Sequence, residues 1–153
     1  MGLFDLFYDK YKIPSNKKIK MIELFAGYGS QSLAVKYLGL PFEHHKICEW
    51  AIPSIIAYTE LHKDELPNYG KDYSVNMTKE ELANELFNLG ISSNYNEPVT
   101  LEYCKRLSED KLRKIYNAIK QSNNLVDVSR VKGGDLDVNE CDKYEYILTY
   151  SFP

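Results

Sequence analysis

The sequence predicts an α/β domain: a parallel sheet with crossover helices, interrupted by a helical insertion. Three observations carry that reading. The first is a strand, glycine turn and helix beginning near Lys20, followed at once by a second strand and helix. Next comes a polar stretch of about seventy residues after His62, too long for a plain loop and marked by helix caps. The third is an apolar strand, Tyr144 to Tyr150, on the far side of Gly133-Gly134.

The elements follow in chain order. Leu3, Phe4, Leu6, Phe7, Tyr8 and Tyr11 make an aromatic-rich stretch closed by Pro14 and the polar run Ser15 to Lys18, read as a docking helix and linker over residues 1–18. Lys20 to Phe25 has the composition of a buried strand and is bounded by Gly27 and Gly29; Gln31 to Leu38 has helical apolar spacing and stops at Gly39. His44 to Glu49 reads as a second strand, and Pro53 suits the first turn of a helix from Ile52 to Leu61. A βαβα start of this kind implies parallel strands.

Within the polar stretch, Thr78-Lys79-Glu80-Glu81 fits a capping box, with Leu82, Leu86 and Leu89 at helical spacing and Gly90 as the stop. Thr100 to Leu107 is a further helix. Ser108 caps another, with Glu109 and Asp110 in its first turn and Leu112, Ile115, Tyr116 and Ile119 on one face. These caps and periodicities are complete without a strand. The chain is therefore expected to divide into residues 1–18, a core of 19–62 with 133–153, and a helical insertion over 63–132.

Composition narrows the function classes. With 153 residues, 44% hydrophobic and 27% charged, the chain is long enough to bury one core. It has no apolar run of 18 residues and no signal-peptide layout at Met1 to Asp5, so no membrane role and a cytoplasmic location are expected. Cys48, Cys104 and Cys141 lie far apart with no Cys-x-x-Cys pair, and His44, His45 and His62 have no partner at ligand spacing along the chain. No disulfide framework and no metal are expected. A net charge of -3 leaves no global footprint for nucleic acid. Residues 101–133 carry eight basic against four acidic side chains, a local excess that could meet DNA phosphates but is better explained as a solvated helix face, since mixed charge on an amphipathic helix needs no partner.

The chemistry-bearing segment is Glu23-Leu24-Phe25-Ala26-Gly27-Tyr28-Gly29-Ser30-Gln31. Glycines between strand and helix let backbone approach a ligand and leave helix N-terminal amides facing an anionic group. A dinucleotide fingerprint needs a third glycine where Ser32 stands, which counts against a nicotinamide cofactor. Glu49 ends the next strand, where a carboxylate accepts from ribose hydroxyls, and Trp50, the sole tryptophan, offers a stacking face for adenine. Each residue alone also has a plainer reading: a tight turn at Gly27 and Gly29, a helix cap at Glu49, core packing at Trp50.

Taken together these segments resemble DNA cytosine-5 methyltransferases. Glu23 to Gly29 resembles the family's first motif and Glu49-Trp50 its second; Gly134-Asp135-Leu136 with Asn139-Glu140 resembles the third, and Tyr146 to Pro153 the strand that leads into the Pro-Cys nucleophile motif. The resemblance covers residues 20–62 and 133–153. It departs at Ser30, where the family often has glycine, and in the long insertion.

The resemblance implies a partial Rossmann-like S-adenosylmethionine-dependent methyltransferase fold, with S-adenosyl-L-methionine as cofactor. Phe25, Gly27 and Gly29 would border its methionine part, Glu49 its ribose, Trp50 one adenine face, and Asp135 with Leu136 the adenine edge, with Pro153 closing the set. The family methylates cytosine C5 in double-stranded DNA through a cysteine that attacks C6 of a flipped base. No catalytic residue is expected within this chain, since its three cysteines lie outside a Pro-Cys setting, so the chain alone is expected to be inactive. Two alternatives stay open: a cofactor-binding subunit of a split enzyme with a complementary C-terminal subunit, and a non-catalytic nucleoside-binding module.

Overall fold

A computed structural model describes residues 17–150; the expected N-terminal helix and Pro153 lie outside the described residues. The elements are β1 (Lys18–Leu24), α1 (Ser30–Tyr37), β2 (Phe42–Cys48), α2 (Ile52–Leu61), α3 (Lys79–Leu89), α4 (Leu101–Arg106), α5 (Glu109–Gln121) and β3 (Tyr144–Tyr150). The three strands form one parallel sheet in the order β2-β1-β3. β1 is central and is the most buried strand, with Ile19, Met21, Ile22 and Glu23 all buried. Its register runs from Lys18 opposite Tyr144 to Leu24 opposite Tyr150, while the β2 side carries an irregularity between Met21 and Ile22.

The larger core lies among the helices. Ile52 and Ile55 of α2 pack with Leu82 and Leu86 of α3 and with Leu112, Ile115 and Ile119 of α5. Thr78 accepts from Glu81 N while the Glu81 carboxylate accepts from Thr78 N at 2.7 Å, so the capping box expected from sequence forms in full. Ser108 likewise accepts from Lys111 N at the start of α5. Among the described residues no strand of the sheet falls between 78 and 121. No helix among them is long and apolar enough to cross a membrane.

Two features depart from the periodicity. α1 buries only Ser32, leaving Tyr37 and Leu38 exposed, so its apolar spacing does not correspond to a sealed face. The end of the insertion also returns to the sheet: Leu125 N donates to Ile47 O at 2.8 Å and Asn124 bridges Ile47 in the parallel sense. Residues 124–128 thus line the outer side of β2, beside the carboxyl ends of the strands.

Candidate functional site

The site starts where β1 ends. Phe25 and Gly27 both adopt left-handed backbone, with φ of 55° and 54°, and Gly29 caps α1 at φ 80°. Ala26 N donates to Cys48 O at 3.1 Å, tying the turn to the end of β2. A Cβ on Gly29 would overlap the His62 ring and come within 2.8 Å of Tyr58 Cε2, so only glycine fits there, for both conformation and space. Beneath the turn, the buried Glu23 carboxylate accepts from Ser32 N at 3.1 Å, from Ser32 Oγ, and from Tyr58 Oη at 2.6 Å.

β2 delivers the second half. Glu49 is 8% exposed; its Oε2 accepts from Gly27 N at 2.9 Å and its Oε1 from Ala51 N at 2.7 Å. One carboxylate therefore joins the glycine turn to the start of α2, and each oxygen keeps a lone pair for a further donor. Its backbone is held by Asn124, whose Oδ1 accepts from Glu49 N at 3.0 Å and from Val126 N at 2.8 Å while Nδ2 donates to Glu49 O at 2.8 Å. The Cys48 thiol donates to Val126 O at 3.3 Å, and burial pushes its pKa up to about 12, so it stays protonated.

These segments enclose a cavity of about 410 Å³, within the range of small-ligand pockets. Phe25, Gly27, Cys48, Glu49, Trp50 and Ser54 line one part; Val126, Asp127 and Val128 line the returning wall; Tyr95 completes the lining. The Tyr95 hydroxyl lies 3.0 Å from Ser54 Oγ, and its hydrogen bond to the exposed Tyr28 raises the Tyr28 pKa. The walls are mainly apolar and aromatic, with one carboxylate from Glu49 and one from Asp127. Such a cavity suits an aromatic ring joined to a polyhydroxyl group.

Of the residues singled out from sequence, Phe25, Gly27, Glu49 and Trp50 meet around this one cavity. Gly29 stands behind the turn, against His62 and Tyr58. Asp135 and Leu136 are not among the lining residues. They occupy a 3-10 turn, Gly133–Leu136, where Asp135 Oδ2 accepts from Lys132 N at 2.8 Å and Leu136 O lies 2.9 Å from His45 Nε2. In their stead the wall holds Asp127 and Val128. Asp127 Oδ1 accepts from Ser129 N at 3.0 Å, and Oδ2 pairs with Arg130 at 2.9 Å. A sequence signal for that segment exists: Leu125-Val126-Asp127-Val128 is a short apolar run with an acid near its end, the same form as Ile47-Cys48-Glu49. Tyr95 has no comparable signal, because it reaches the cavity from the loop after α3.

No family model matches the chain. Over 142 residues, 90% of its length, it is 32% identical to the orphan methyltransferase M.SssI of Spiroplasma monobiae, of which it covers 34%. It is 29% identical over 136 residues, 88% of its length, to the Type II methyltransferase M2.ScrFI of Lactococcus lactis subsp. cremoris, of which it covers 35%. The chain thus spans about a third of the length of these curated relatives.

Proposed function

We propose, for a chain that belongs to the DNA cytosine-5 methyltransferase family, that it forms the S-adenosyl-L-methionine-binding portion of such an enzyme. The observation that carries the reading is the Glu49-Trp50 pair just after β2, which lines one cavity together with Phe25 and Gly27 and is joined to the glycine turn through Glu49 Oε2 and Gly27 N. A β2-β1-β3 parallel order, with successive strands added on opposite sides of β1, supports a Rossmann-like arrangement in which ligands bind at the carboxyl ends of the strands. In this reading residues 19–62 with 133–153 are the cofactor core, and the insertion 63–132 lends it the wall at 124–128.

The residues present fit the cofactor. Glu49 accepts from the ribose hydroxyls with the lone pairs left by Gly27 N and Ala51 N. Trp50 stacks on the adenine. Phe25 and Gly27 border the methionine end; Asp127 and Val128, which line the same cavity, are the residues near enough to meet the adenine edge, whereas Asp135 and Leu136, expected there from the family resemblance, are not among the lining residues. The bound cofactor supplies an electrophilic methyl group. The complete enzyme would transfer it to cytosine C5 in double-stranded DNA, with the cysteine nucleophile on residues outside this chain or on a complementary subunit. Cys48 and Cys104 are poor candidates for that role, since burial raises both thiol pKa values.

Titration with S-adenosylhomocysteine tests the reading. Calorimetry is expected to show one site per chain, and the emission of Trp50, the sole tryptophan, is expected to change on saturation. Glu49→Ala should weaken binding by about 1–3 kcal/mol. An absence of binding would sink the proposal; binding with unchanged emission would remove Trp50 from the site. Tritium transfer to duplex DNA by the chain alone would show that the nucleophile lies within it.

A further inference from the structure

The structure assigns His44, His62 and Glu65 to a site for one divalent metal ion of zinc type, joining β2 to the end of α2. His44 and His62, without ligand spacing in the sequence, lie side by side in space with ring centroids 4.8 Å apart and planes inclined by 59°. His62 Nδ1 lies 3.3 Å and His44 Nε2 lies 3.9 Å from the same oxygen, Glu65 Oε2. All three candidate ligand atoms fall within 4.8 Å of one another. Ligands around tetrahedral zinc stand about 3.3 Å apart, so the two Glu65 distances already lie near that value and closure on an ion needs the histidine nitrogens to approach by up to about 1.5 Å, through small rotations of the two rings.

Proton placement gives the stronger argument. His62 Nε2 lies 3.2 Å from Tyr28 O, and a carbonyl can only accept, so that nitrogen carries the hydrogen and Nδ1 presents a lone pair. The Tyr58 hydroxyl donates to Glu23 and therefore accepts from His44 Nδ1 at 2.7 Å, which leaves His44 Nε2 as a second lone pair. That atom is buried and has no hydrogen-bond partner among the described residues, although the His44 side chain is only 2% exposed. The Lys36 ammonium pairs with Glu65 Oε1 and leaves Oε2 toward the histidines. Three acceptors thus converge with no donor between them. A proton shared by His62 and Glu65 would satisfy that pair and still leave His44 Nε2 unpartnered.

A divalent cation satisfies all three. Two imidazoles and a carboxylate select zinc-type ions over calcium or magnesium, and three protein ligands leave a fourth position for water. The outer contacts have the form metal sites use: each imidazole is oriented through its other nitrogen, His62 by a backbone carbonyl and His44 through Tyr58 to a carboxylate. Because His62 touches both Tyr28 O and the space over Gly29, an ion there would pin the turn that borders the cavity. The inference stands on this cluster and does not depend on the cofactor reading.

The test is titration of the chelator-treated full chain with Co²⁺, then Zn²⁺. Expected are one Co²⁺ per chain with the visible absorption of a four-coordinate ion, displacement by one Zn²⁺, and a rise in melting temperature that chelator reverses. Glu65→Gln, chosen because it leaves the two buried histidines in place, should keep the metal-free melting temperature near wild type and weaken Zn²⁺ binding at least about tenfold. Cys141→Ser should bind as wild type, since Cys141 is exposed and remote from the cluster in sequence. No saturable Zn²⁺ binding, equal affinity in Glu65→Gln, or loss of binding in Cys141→Ser would each overturn the assignment.

Discussion

In the helical layer Leu82, Leu86, Leu112 and Ile115 are each 0% exposed, whereas β3 has no buried residue, and Leu148 and Tyr150 keep 45% and 59% of their surface. The helices close on one another: α5 packs against both α2 and α3, and α3 also packs against α4. The sheet is covered less evenly, since β1 is buried between two strands while α1, the crossover after it, seals only Ser32. The comparison teaches that packing stability among the described residues is concentrated in the insertion. The sheet mainly supplies geometry, and the candidate site lies on the seam where Asn124 and Val126 join the two.

Truncating the helical core is the harshest test of that contrast. Leu86→Ala should lower unfolding free energy by about 2–5 kcal/mol, read from urea denaturation followed by circular dichroism. Next comes the seam. Asn124→Ala removes two acceptor contacts and one donor contact around Glu49 and Val126, and should cost about 2–3 kcal/mol. It should also weaken S-adenosylhomocysteine binding, because Glu49 loses its backbone anchor; a loss of stability with intact affinity would detach the seam from the site.

A smaller effect is expected at the helix ends. Thr78→Ala deletes one half of the capping box on α3 and should cost about 1 kcal/mol, measured the same way. The smallest belongs to β3, where Leu148→Ala should cost less than about 1 kcal/mol because the side chain is already 45% exposed. If Leu148→Ala proved as damaging as Leu86→Ala, the sheet would be as tightly covered as the helices and the contrast would collapse.

Much of this fold is legible in local sequence. The Thr78 and Ser108 caps, Gly90, the two apolar strand runs and Tyr144 to Tyr150 all report bonds made within a few residues of themselves, so their patterns survive folding unchanged. Half of the cavity is legible for the same reason: Phe25, Gly27, Glu49 and Trp50 sit at strand ends, and strand ends in a parallel sheet gather on one side. The opposite wall is another matter. Asp135 follows an apparent glycine-acid motif yet lies in a turn that bonds Lys132, while Asp127 reaches the cavity because α5 delivers the chain back along β2.

The sequence by itself determined the local elements and the acid, glycine and tryptophan that mark one side of the site, because capping, periodicity and turn chemistry act over neighbouring residues. Only the tertiary structure decided which acid shares the cavity with Glu49, that Tyr95 enters from a distant loop, and that His44, His62 and Glu65 share one space. Those choices depend on the length and docking angle of the intervening helices, which set where a chain returns. Spacing along the sequence records neither.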